Sequence, residues 1–143
     1  MAAERPFSSR AHLYGEAERQ WWRLGDGDWK EAFTHHPRIG ADLALLRAKY
    51  APTADWASGE QAGIAGASDD VLQALVAGNI AYEVSFGHIF LVCASGRTAS
   101  EMLTMLRERM ENATAPGGHA AELRVAAGEQ VKITRLRLEK LQA

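Results

Sequence analysis

The sequence predicts an all-α chain: a single-domain helical bundle of about seven to eight helices over residues 1–143. Two observations carry this. Apolar residues recur at helical spacing in segment after segment, and capping signals alternate with glycine and proline breaks between them. One run departs from the pattern. "HIFLVCA", His88 to Ala94, is apolar and β-branched like a buried strand, yet no other segment offers it a partner. It reads as one extended buried connection near 88–94.

The elements follow in order. A first helix spans roughly Ser9 to Leu24, with Leu13, Ala17, Trp21 and Leu24 facing a core. "GDGD" breaks it. Asp28 then caps a second helix, with Glu31 completing a capping box. That helix stops near His35, because Pro37 pushes His36 out of the α region. A third helix runs about 41–50 and ends before Pro52. Ser58 and Gln61 open a short fourth. Ser68 caps a long helix over about 69–85, with Val71, Leu75, Gly78 and Tyr82 on one stripe and Leu72, Val76 and Ile80 widening it. Thr98 and Glu101 form a capping box before Met102, Leu103, Met105, Leu106 and Met110. After "NATAPGG" a last helix spans about 119–141.

Composition narrows the function classes. The chain is 47% hydrophobic and 24% charged with a net charge of −2, which suits one ordinary core. That charge gives no electrostatic reason to expect nucleic acid or an anionic membrane surface. No apolar run approaches the roughly 18 residues of a spanning helix. The N-terminus "MAAERPFSSR" lacks a secretory apolar stretch. Cys93 is the single cysteine, so no intrachain disulfide forms, and a cytoplasmic location is expected. No nucleic-acid or membrane partner is expected.

Several positions suit chemistry. His36, extended at a helix end and pinned by Pro37, has a fixed backbone and a side chain that titrates near neutrality. On pattern alone, a histidine bonded at a turn is the commoner outcome. His35 belongs to the last helical turn. Glu60, in the first turn after Ser58, is favoured as a carboxylate by the helix dipole, and beside a histidine it would complete an acid/base pair. Taken alone, simple helix-end electrostatics is the better explanation. Gly87 in "SFGHIF" ends a helix, and free amides after it suit an oxygen-rich ligand, or merely a C-cap followed by core. His88 is a conceivable metal ligand, but the five histidines and one cysteine show no ligand spacing, so no metal site is expected. Ile133, Arg137 and Leu141 share a helix face, so Arg137 must snorkel or find an anion. Lys132 and Arg135 read as solvated, and the four tryptophans read as core.

In order along the chain, "WW…DW.EAF..HPRIG", "W…EQAG", "N..Y…FGHIFLVCASGRT..EML..L..R..N" and "E…V…KI..LRL..L" together resemble the 2-oxo-4-hydroxy-4-carboxy-5-ureidoimidazoline (OHCU) decarboxylase family, over about Arg5 to Leu141. The resemblance implies an all-helical, often homodimeric carboxy-lyase of urate degradation that makes (S)-allantoin without metal or organic cofactor. It implies that His36 donates the proton, with Glu60 catalytic beside it. It places Pro37, Gln61, Phe86, Gly87, His88, Ile89 and Phe90 against substrate, and an arginine of the final helix, taken as Arg137. The chain departs from the family pattern twice. A helical segment that usually precedes "RPF" is short or missing, and Ala57 stands where a serine is common, so a substrate hydrogen bond is either missing or supplied by Ser58. The competing expectation is a non-catalytic helical scaffold or partner that retains the fold.

Overall fold

The structure, a computed structural model, describes residues 4–38 and 68–141. Among the described residues the regular elements include five α-helices and a 3-10 turn: α1 (Arg10–Trp22), α2 (Asp26–Thr34), α3 (Asp69–Phe86), α4 (Ala99–Met110), the turn Glu111–Ala113, and α5 (Gly118–Lys140). Among the described residues there is no strand, and no helix is long and apolar enough to cross a membrane. The all-α expectation holds. The helices read at 41–50 and from Ser58 lie outside the described residues.

Local chemistry explains most of the boundaries. Ser9 caps α1, its hydroxyl accepting from the His12 amide at 3.0 Å. α2 starts three residues before the sequence reading: Gly25 is the cap, and Asp28 sits in the first turn, where its carboxylate accepts from the Gly25 amide at 2.9 Å. The double acidic residue of "GDGD" thus lies inside the helix, favoured there by the dipole. Ser68 does precede α3, but its side chain makes no cap hydrogen bond. Gly87 ends α3 at φ 70°, a left-handed conformation that suits glycine. The Thr98–Glu101 capping box is present with both of its hydrogen bonds.

The connection after Gly87 organises the core. Phe90 and Val92 pack with Leu72, Leu75, Tyr82 and Phe86 of α3 and with Met102, Leu103 and Leu106 of α4. Leu91 packs the other way, with Trp29 and Phe33 of α2 and Leu123, Ala126 and Ala127 of α5; Ile89 joins that side. Alternate residues therefore serve opposite cores, as in a strand buried on both faces. This is why "HIFLVCA" carries a strand composition without pairing to a strand. Each large side chain sealed here contributes roughly 1.5–3 kcal/mol.

Two apolar assignments from sequence fail. Leu24 is 42% exposed and Ile80 is 62% exposed. Helical spacing identifies a face; it does not supply a partner for every residue on it. Along α1, Tyr14, Trp21 and Leu24 line an apolar groove of about 550 Å³ against Val131 and Leu138 of α5. The described tryptophans are only partly core: Trp29 is sealed, Trp21 is half-buried, and Trp22 is exposed. Trp21 donates to the Ala127 carbonyl at 3.0 Å and Trp29 donates to the Trp21 carbonyl at 3.1 Å, which ties α1 and α2 to α5.

Candidate active site

His36 emerges just past the end of α2. Its amide donates to the Phe33 carbonyl at 3.1 Å, closing the last turn before Pro37. Phe33 is sealed in the core, so the half-buried His36 one turn later is held against the interior. Arg38 then makes a two-armed ion pair with Glu83 of α3, at 2.8 and 2.6 Å. Such a fork fixes direction as well as distance. The His-Pro-Arg segment is thereby tied to α2 at one end and to α3 at the other.

The face of α5 completes the surroundings of His36. Gln130 and Arg137 are seven residues apart, two turns, and so share a side of the helix. Burial pushes the His36 pKa below 6.5; a contact with Gln130 works against this, while the positive charges of Arg137 and His35 add to it. Gln130 is buried, its Nε2 donates to Thr134 Oγ1 at 3.1 Å, and its Oε1 has no hydrogen-bond partner. The carbonyl oxygen is thus a buried acceptor left unsatisfied. Arg137 is exposed. The helix presents Arg137 to the His36 side, where no buried charge has to be compensated.

His88 is buried against three rings, with centroids 5.5 Å from Phe33, 5.5 Å from Tyr82 and 6.1 Å from Phe86. Burial lowers its pKa, so it is neutral near pH 7. Nδ1 pairs with the Ile89 carbonyl at 3.1 Å and therefore carries the proton, while Nε2 has no partner. Among the described residues no group of three metal-ligating side chains occurs.

Among the described residues, no backbone hydrogen bond uses the N–H of His88, Ile89, Phe90, Leu91 or Val92. Cys93 differs: its amide donates to Glu129 Oε2 at 2.8 Å. Burial alone would raise the Glu129 pKa, but Lys132 and the Cys93 amide outweigh it and hold the carboxyl below the usual range.

Behind the connection lies a buried polar cluster that sequence reasoning missed. Arg109 donates from Nε to Glu122 Oε1 at 2.6 Å, from Nη1 to the Leu91 carbonyl at 2.7 Å, and from Nη2 to Tyr82 Oη at 3.0 Å. Tyr82 in turn donates to Glu122, and Asn112 donates to Glu122 Oε2 at 2.9 Å. Burial pushes the Tyr82 phenol far up, so it stays a donor.

The structure therefore brings His36 and Arg137 together, and places Phe86, Gly87, His88, Ile89 and Phe90 on one continuous stretch beside Phe33. Pro37 is exposed at the same end of α2. Ser58, Glu60 and Gln61 lie outside the described residues. Gln130 and Glu83 were not legible as site residues, because nothing near them in sequence signals their distant partners.

Residues 1–139 match the family model described as OHCU decarboxylase. The chain is 37% identical over 142 residues to the uric acid degradation bifunctional protein TTL of Arabidopsis thaliana, covering 99% of this chain and 42% of that protein. It is 25% identical over 139 residues to a uric acid degradation bifunctional protein of Bacillus sp. (strain TB-90), covering 96% of this chain and 25% of that protein. The chain thus spans less than half the length of these curated relatives. A crystal structure of OHCU decarboxylase in the presence of (S)-allantoin superposes with a TM-score of 0.69 at 33% identity, covering 97% of this chain and 85% of that one. The chain belongs to the OHCU decarboxylase family.

Proposed function

We propose that this chain decarboxylates OHCU to (S)-allantoin in urate degradation. The family match over 1–139 carries the reading; the nearness of Arg137 to His36, and amides at 88–92 that make no backbone hydrogen bond among the described residues, support it.

The chemistry suits these groups. Breaking the bond from ring carbon to carboxylate releases an electron pair, which the adjacent carbon–nitrogen double bond of the ring takes up; no organic cofactor is required as an electron sink. The protein must orient the ring, stabilise developing charge and deliver a proton to one face. A lowered pKa leaves His36 neutral near pH 7. In this reading it accepts the proton of the ring hydroxyl as CO₂ departs. It then returns that proton to the carbon bearing the ureido group, while the hydroxyl oxygen becomes a carbonyl and water supplies the proton for the ring nitrogen. Delivery from one face sets the S configuration. Glu60 assists as the carboxylate partner, Arg137 attracts the anionic substrate, and the amides of the 88–92 run hold its oxygens. Pro37, Ser58, Gln61 and the Phe86–Phe90 stretch form the rest of the pocket wall. The reading carries with it one decarboxylase domain, a bundle of seven to eight helices, a homodimer and a cytoplasmic location.

The test generates OHCU in place from urate, with urate oxidase and hydroxyisourate hydrolase, and follows the circular dichroism of the product. Growth of the (S)-allantoin signal well above the spontaneous rate is the expected result. A folded protein that gives no acceleration would refute the reading in favour of a scaffold.

A further inference from the structure

The Arg109–Glu122–Tyr82 cluster is placed where stability alone does not require it. A buried ion pair is often no better than apolar residues of similar volume, because desolvation offsets the attraction. Here the guanidinium is 7% exposed and Glu122 and Tyr82 are fully sealed, so that desolvation is nearly complete. One arm of Arg109 is committed to a main-chain acceptor, the Leu91 carbonyl, at 2.7 Å. The guanidinium also lies over the Phe90 ring, 4.7 Å from its centroid. Two residues on, Glu129 holds the Cys93 amide at 2.8 Å. A donor from α4 and an acceptor from α5 thus grip the connection at Leu91 and at Cys93, and the amides between Gly87 and Cys93 have no protein acceptor among the described residues.

We propose that Arg109, braced by Glu122 and Tyr82, is a positioning residue: it fixes the Leu91 carbonyl and so keeps the 88–92 amides aimed at bound substrate. This rests on the decarboxylase reading for the identity of the substrate, but the grip on the connection is a property of the chain itself. Glu122 and Tyr82, hydrogen-bonded to each other, engage the Nε and Nη2 edge of the guanidinium from α5 and α3, so its third arm, Nη1, points along one direction only. A lysine keeps the charge opposite Glu122 but cannot reach Leu91 and Tyr82 together. If the amides hold substrate oxygens alike in the ground state and the transition state, disturbing them raises KM and leaves kcat.

The experiment combines steady-state kinetics on substrate generated in place with amide hydrogen exchange at Cys93, for the wild type, Arg109→Lys and Tyr82→Phe. Tyr82→Phe leaves the Arg109–Glu122 pair intact and removes one hydroxyl. The expected result is KM raised about tenfold or more in Arg109→Lys and several-fold in Tyr82→Phe, with kcat per folded molecule within about twofold. Cys93 exchange should quicken about tenfold in both variants, with α1 unchanged. A role confined to stability would lower the melting temperature while KM and Cys93 protection stay at wild-type values, and that result overturns the proposal. Should Arg109→Lys not fold, Tyr82→Phe decides by the same criteria. An inactive wild type refutes the decarboxylase reading instead, and Cys93 exchange then decides the grip alone.

Discussion

Arg137 stands close enough to His36 to disfavour its protonation, although the two come from opposite ends of the described chain. An arginine placed to attract an anion also holds the nearby imidazole in its neutral, proton-accepting form. Burial is the larger influence and acts in the same direction; Gln130 opposes both.

The pH profile should show this balance. With its pKa held below 6.5, His36 loses its proton on the acid side of neutrality. The kcat/KM of the wild type should climb with pH through a limb below pH 6.5 and level off above it. Arg137→Gln removes the repelling charge, so the limb should move up toward 6.5. A limb that stays put, or moves down, would separate Arg137 from His36.

Removing the imidazole tests its role directly. His36→Asn should lower kcat by about 10²–10⁴-fold, the usual range for a lost general acid or base. The side chain is half-buried at a helix end, so far-UV circular dichroism should be unchanged. Full activity in a folded His36→Asn protein would remove His36 from the mechanism.

Features set by near neighbours were legible in the sequence, and features set by distant ones were not. The Thr98–Glu101 box spans three residues, and the end of α3 at Gly87 depends on one residue's freedom at positive φ. The alternation of "HIFLVCA" survives because each residue keeps one of two cores as its environment. Ile80 was misread because a periodic stripe says nothing about whether another element lies over it. Arg109 meets Glu122 across 13 residues and Tyr82 across 27, and no local pattern encodes either contact. Gln130 was overlooked for the same reason: its significance is a contact with a histidine nearly a hundred positions earlier.

His88 should make the fold acid-sensitive. Its folded pKa is held below the ordinary value of 6.5 by burial, with Arg109 and Lys30 pressing the same way and the Ile89 carbonyl and Glu122 opposing. Between the folded pKa and 6.5 the unfolded chain binds more protons, so stability falls as pH drops through that window and is fully present above it. His36 contributes in the same direction. His88→Phe removes one of the two groups, and with it a buried nitrogen that has no partner. Urea midpoints at pH 5.5 and 7.5 should therefore differ less in His88→Phe than in the wild type. An unchanged difference would show that His88 does not titrate on unfolding.

Two glycines should respond oppositely to alanine. At Gly78 on α3, an added Cβ would lie 2.7 Å from Leu106 Cδ2, the mobile end of a side chain. The helix gains about 1 kcal/mol from replacing glycine, which offsets much of the cost of moving Leu106. At Gly118 the Cβ would lie 1.9 Å from the Asn112 carbonyl oxygen, and main chain cannot step aside without shifting the 3-10 turn or the start of α5. Gly118→Ala should therefore cost about 3 kcal/mol or more, at or beyond the upper end of ordinary overpacking. Gly78→Ala should stay within about 1 kcal/mol of the wild type. Gly118 also sets where α5 begins, one turn before Glu122, so a shift there displaces the carboxylate that braces Arg109. Urea unfolding of the two variants checks the order. A Gly118→Ala protein as stable as Gly78→Ala would mean that α5 does not start pressed against Asn112.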